Sequence, residues 1–157
     1  MRGKQAPKRQ VTPDPKFNSE SIAKLVNHIM KGGKKTTAQR VVYTALQIVS
    51  DKTKREPMEV FDDALKNVAP QVEVKSRRVG GANYQIPMPV QGNRREALAF
   101  RWILAAAKAK KGRPMADKLA AEIIAAANEE GDAMKKKLDV QRMADANRAF
   151  AHFARRR

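Results

Sequence analysis

The 157-residue chain contains no cysteine, which excludes disulfides and thiolate metal sites. It has two histidines, His28 and His152, and no HExxH, CxxC or GxSxG pattern. Zinc hydrolysis, dithiol redox work and serine hydrolysis therefore have no motif to rest on. Aromatic residues make up only 5% while alanine is plentiful, so the expected core is one of closely packed helices with small contact side chains. The longest wholly apolar run is six residues, Trp102 to Ala107. A membrane-spanning helix needs about 20. The opening stretch MRGKQAPKRQVTPDP is basic with no apolar run behind it, so no secretory signal is expected. These absences leave a single-domain cytoplasmic protein without cofactor or metal as the expectation.

What the chain has in excess is positive charge. Its formal net charge is +17. So large an excess works against compactness by self-repulsion and marks a polyanionic partner. The charge is unevenly placed. Residues 1–40 and 71–113 each carry a net +8, and residues 132–157 carry +5. Residues 41–70 and 114–131 are slightly acidic, at −1 and −3. One charge run is usually a solvated face. Three in one small domain predict a phosphate-binding surface, provided the fold brings them together.

Periodicity predicts a mainly α fold: a six-helix body with one protruding β-hairpin between the third and fourth helices. Residues 1–16, with prolines at 7, 13 and 15, read as a basic tail ordered only by a partner. The body covers residues 17–153 and a short basic tail follows at 154–157. The first helix is expected from Ser19 to Lys31, with Asn18 or Ser19 as its cap and Ile22, Leu25, Val26, Ile29 and Met30 as its buried stripe. The second spans Thr36 to Lys52. The third opens at Glu56-Pro57 and stops at Pro70. Three more follow: Arg94 to Lys110 with Ala97, Leu98, Trp102, Leu104 and Ala105 inward, one from Pro114 to Gly131, and one from Asp132 into the 150s with Leu138, Met143, Ala146 and Phe150 on one side.

Between the third and fourth helices lies VEVKSRRVGGANYQIPMPV, residues 72–90. Gly80-Gly81 is a hairpin signal. A two-residue loop pairs Val79 with Ala82 and Val74 with Pro87. A three-residue loop pairs Val74 with Met88 and Arg78 with Tyr84. The second register gathers the apolar residues on one face and is the one expected. Pro87 and Pro89 cannot donate to a ladder, so the return strand is an edge. The tip is expected to project.

Catalytic constellations are not evident. Gly33-Lys34-Lys35 is a poor nucleotide-binding loop, because His28 stands where its first glycine belongs and Lys35 where Ser or Thr belongs. His28 lies beside an apolar stripe and reads as structural. The acid pairs Asp62-Asp63 and Glu129-Glu130 point about 100° apart on a helix and do not share a site. The basic residues fit binding better. Arg77 and Arg78 flank the turn on opposite faces and can fork onto phosphates. Tyr84 is either a base-stacking ring or a packed strand aromatic. Arg94-Arg95 open a helix against the macrodipole preference, which suggests that they answer to something outside the fold. Lys108, Lys110, Lys111 and Arg113 cluster at the end of that helix, where the dipole explains part of the cluster.

The stretches VKSRRVGGANYQIP (74–87) and RREALAFRWILAAA (94–107) closely resemble the bacterial small-subunit ribosomal protein seven family. DPKFNSESIAKLVNHIMKGGKKTTAQR (14–40) and QRMADANRAFAHF (141–153) support the resemblance, which runs from Asp14 to Phe153. It implies a structural constituent of the small subunit and a primary binder of the 3′ domain of its RNA, nucleating assembly of the subunit head. It also implies proximity to exit-site transfer RNA and messenger RNA, with ribosomal protein eleven as neighbour. The ribosomal-RNA contacts expected are Arg2, Lys4, Lys8 and Arg9 of the tail; Lys31, Lys34, Lys35 and Arg40; Lys75, Arg77 and Arg78 of the ribbon; and Arg94, Arg95, Arg101, Lys108, Lys110, Lys111 and Arg113. The transfer- and messenger-RNA side is expected at Arg78, Gly80, Gly81, Asn83 and Tyr84 of the hairpin and at Arg142, Asn147, Arg148 and His152 near the C-terminus. A competing possibility is an architectural DNA-binding protein with a basic β-arm. Against it, Pro87 and Pro89 sit at the base of the return strand rather than at the tip, where a wedge would be.

Overall fold

The computed structural model describes residues 3, 6, 10–79 and 81–155. Arg2, Lys4, Lys8, Arg9 and Gly80 lie outside the described residues. The elements run α1 (Glu20–Ile29), α2 (Lys35–Thr53), α3 (Pro57–Val68), β1 (Val72–Val79), β2 (Ala82–Pro89), α4 (Asn93–Ala109), α5 (Met115–Ala127), α6 (Asp132–Ala146) and a C-terminal 3₁₀ segment (Arg148–Arg155). The fold is mainly helical, with a two-stranded antiparallel hairpin between α3 and α4. Among the described residues no helix is long and apolar enough to cross a membrane.

Local chemistry explains most boundaries. Ser19 caps α1, its hydroxyl accepting from Ile22 N. Pro57 occupies the first turn of α3, where a missing N–H costs nothing. Helix α5 lies against α2, α3 and α4, and its Leu119, Ala120, Ile123 and Ala126 are fully buried. Asn67 of α3 donates to the carbonyls of Ala126 and Ala127, at 3.1 and 3.0 Å, satisfying groups that the end of α5 leaves open. Phe61 of α3 stacks on Phe100 of α4 at 6.5 Å across the core.

The chain is tied to the body earlier than the expected tail boundary at residue 16. Asp14 is buried, accepting from the amides of Lys16 and Phe17 and, at 2.7 Å, from the Tyr43 hydroxyl. Burial and this hydrogen bond push the Tyr43 phenol up to about 12.

Three expectations need correction. The hairpin takes the two-residue register, with Val79 opposite Ala82, Val74 opposite Pro87 and Arg77 opposite Tyr84. The three-residue register assumed one apolar face and one wet one. Instead the base of the ribbon is covered on both sides. Ile86 is buried on one face, while Val72, Pro87 and Pro89 on the other line a shallow groove with Ala144 and Ala151. Second, the last helix stops at Ala146. The Asn147 amide turns back onto the Met143 carbonyl at 2.7 Å, competing with helix propagation, and the chain continues as 3₁₀ turns. Its inward residues are Ala133, Met134, Val140 and Ala144, whereas Leu138 and Met143 are exposed. Third, α4 is packed on several sides, so Phe100 and Ile103 are buried as well, and Ala105 is exposed.

Candidate nucleic-acid interface

Helices α1 and α4 run side by side in the same direction. Lys24 of α1 donates to Glu96 of α4 at 3.0 Å, and one turn further along both helices the His28 ring lies 5.5 Å from Phe100. Partial burial, and then the charge of Arg101, lower the His28 pKa. The His28 side chain is nevertheless exposed, so it packs against Phe100 at the edge of the core. The C-terminal end of α1 therefore lies alongside the middle of α4. Lys31 and Lys34, in the α1–α2 connection, line a shallow groove with Ile29, Thr37 and Val41. Lys35 and Arg40 are exposed on α2.

Along α4, Arg94, Arg101, Ala105 and Lys108 recur at helical spacing and form the outward face, with Ala97, expected inward, half-buried at its edge. From Arg94 to Lys108 this face runs about 21 Å. At its far end Lys111 and Arg113 are exposed. At its near end lies the hairpin base, because Arg94 forks onto the Glu73 carboxylate at 2.8 and 3.1 Å. Lys75 joins from its own strand at 3.0 Å. Burial alone would raise the Glu73 pKa. The hydrogen bonds from Arg94 and Lys75 outweigh it, and the carboxyl is held below its usual value.

These contacts change what two of the expected contact residues do. The macrodipole conflict at Arg94 is answered inside the fold, by Glu73. Lys110 is likewise drawn inward to Glu122, which is fully buried on α5. The other Glu122 oxygen accepts from Ala133 N at 2.9 Å, at the start of α6. Glu122 thus links the end of α4 to the start of α6. Arg95, by contrast, is exposed on the wall of a groove with Ser21, Asp62 and Lys66.

Arg77 and Arg78 project to opposite faces of the ribbon, as alternation requires. Arg78, Asn83 and Gly81 are exposed. Tyr84 is packed, its ring 5.0 Å from Phe150 and 5.6 Å from Phe153. Arg77 donates to the Phe153 carbonyl at 3.1 Å. Arg142, Arg148 and His152 are exposed, Asn147 is half-buried, and the His152 ring lies 4.0 Å from Phe153. The structure therefore brings the hairpin and the C-terminal segment together, with Arg94 of α4 at the hairpin base. Lys31, Lys34 and Lys35 lie in and just after the α1–α2 connection, and Lys108, Lys111 and Arg113 at and beyond the end of α4.

Sequence reasoning passed over Asp14, Glu73 and Glu122, the three buried acids. Each had a visible signal. Glu122 falls on the apolar stripe of LAAEIIAAA, Glu73 is the lone acid in the basic ribbon, and Asp14 precedes a proline at a helix entry.

The model for the family described as ribosomal protein S7p/S5e matches residues 1–148. The chain belongs to this family. Small ribosomal subunit protein uS7 of Thermotoga maritima is 59% identical over 153 residues, covering 98% of this chain and 99% of the relative. The Marinobacter nauticus protein of the same name is 53% identical over 148 residues, with 94% and 95% covered. Membership in the S7p/S5e family makes this a ribosomal protein and not an enzyme.

Proposed function

We propose that the chain is a primary binder of small-subunit ribosomal RNA that nucleates assembly of the 3′ domain, the head of the subunit, in the cytoplasmic ribosome. The observation that carries this is the outward face of α4, with Arg101 and Lys108 exposed along it and Lys111 and Arg113 exposed past its end. Arg94, partly exposed although paired with Glu73, stands at its other end. A cationic surface about 21 Å long suits phosphates of packed RNA helices. A-form helices hide base edges in a deep groove, so specificity comes from junction shape and unpaired bases. The hairpin is proposed to touch the ribosomal RNA through Arg78, and its tip and the C-terminal segment, through Asn83, Arg148 and His152, to lie near exit-site transfer RNA and messenger RNA, with ribosomal protein eleven as neighbour. The basic N-terminal tail adds further phosphate contacts.

The test is binding to a 3′-domain junction RNA across a salt series, with duplex DNA of equal length as competitor. Affinity is expected to fall steeply with salt and to favour the RNA. The double change Arg101→Ala, Lys108→Ala should reduce the slope of log K against log salt by about two, one per phosphate contact. A flat salt response, or an unchanged slope in the variant, would refute the proposal.

A further inference from the structure

The outer half of the hairpin is thinly supported. Lys75, Ser76, Arg77, Arg78, Ala82, Asn83 and Gln85 are exposed. An isolated two-stranded ribbon is marginal in water. The contacts it makes are with the C-terminal 3₁₀ segment: Tyr84 against Phe150 and Phe153, and Arg77 with the Phe153 carbonyl. That segment is equally dependent. None of residues 148–153 is fully buried, and 3₁₀ runs rarely persist alone beyond three or four residues. Phe150 and Phe153 stack on each other at 6.3 Å and close the cluster. Alternation along the strands puts Arg77 and Tyr84 on the face turned to this cluster and Arg78 and Asn83 on the other.

We infer that Phe150 and Phe153 are positioning residues for the hairpin, holding Tyr84 and Arg77 so that Arg78 and Asn83 are presented, at a set angle, to RNA. The inference rests on the proposed RNA contact of the hairpin. It gives Tyr84 the role of a clasp rather than a base-stacking ring, and it makes the C-terminal segment part of the RNA-binding apparatus even where it touches no RNA. A nucleic-acid contact on a floppy ribbon spends binding energy on ordering, whereas a braced ribbon has that ordering in place beforehand.

The full-length protein and a 3′-domain junction RNA fragment test it. Phe150→Ala with Phe153→Ala is expected to lower amide-exchange protection of residues 72–79 and 82–89 while leaving the helical body protected. RNA affinity should fall about tenfold. Phe150→Tyr with Phe153→Tyr keeps the rings and should restore both readouts. Once Arg78→Ala has been made, adding the two alanines should cost little more, because the pair acts through Arg78. Unchanged hairpin exchange in the alanine variant would overturn the inference. So would a loss that adds in full to that of Arg78→Ala, which marks direct contact by the phenylalanines. An affinity loss in Arg78→Ala with none in the phenylalanine variant sinks the positioning role alone. No loss in Arg78→Ala sinks the RNA contact of the hairpin, and this route with it.

Discussion

Replacing Gly131 with alanine places a methyl carbon 2.9 Å from the buried Glu122 Oε1 and 3.1 Å from the Ala125 methyl. Gly131 has φ 93° and ψ 175°, a backbone region essentially reserved for glycine. Holding alanine there costs about 1–3 kcal/mol. The clash adds to this. Glu122 Oε1 is the oxygen that accepts from Ala133 N, so pushing it aside breaks a charge-assisted bond worth about 1.5–3 kcal/mol. Together the expected loss is about 2.5–6 kcal/mol, a large share of an ordinary domain's stability of roughly 5–15 kcal/mol. Urea unfolding followed by helical circular dichroism measures it. Gly112→Ala is the control: Gly112 has φ 78°, but nothing lies within 4 Å of its missing methyl, so that variant loses about 1–2 kcal/mol from the backbone alone. If Gly131→Ala costs no more than Gly112→Ala, the Glu122 bridge between α4, α5 and α6 does not hold the fold as argued.

Two further outcomes follow from the buried acids. Glu73, held below the usual carboxyl value, contributes stability that is present above the unfolded-state pKa and lost as pH falls through the lower folded value. Glu73→Gln should therefore flatten the acid limb of a stability-against-pH curve, and an unchanged limb would refute the assignment. Tyr43, raised to about 12, contributes stability that is complete below the unfolded value of about 10 and lost as pH rises towards 12. Tyr43→Phe should remove that alkaline dependence and, by leaving a buried Asp14 oxygen unpaired, cost about 1–3 kcal/mol in urea. A stability equal to the parent's would show that Asp14 does not need its partner.

How much of the site was legible depends on the range of the interaction concerned. The stripe Ile22, Leu25, Val26 and the cap Ser19 follow from spacing within one turn of helix. The unevenness of the charge is a property of composition, and it pointed to a polyanion before any fold was known. Arg94 was misread because its partner Glu73 is 21 residues away, across a chain reversal. Tyr84 stood between two roles until Phe150 and Phe153, more than sixty residues on, were found against it. The hairpin register failed for a related reason: alternation assumes that one face is wet, and only packing tells which faces are covered.

By itself, the sequence determined the helical body, the place of the hairpin and the excess of cations, because these depend on residues near one another along the chain or on composition alone. Which cations remain free for a partner was decided only by tertiary structure. A charge is available or engaged according to what folds against it, and for Arg77, Arg94 and Lys110 the groups that engage them lie 76, 21 and 12 positions away.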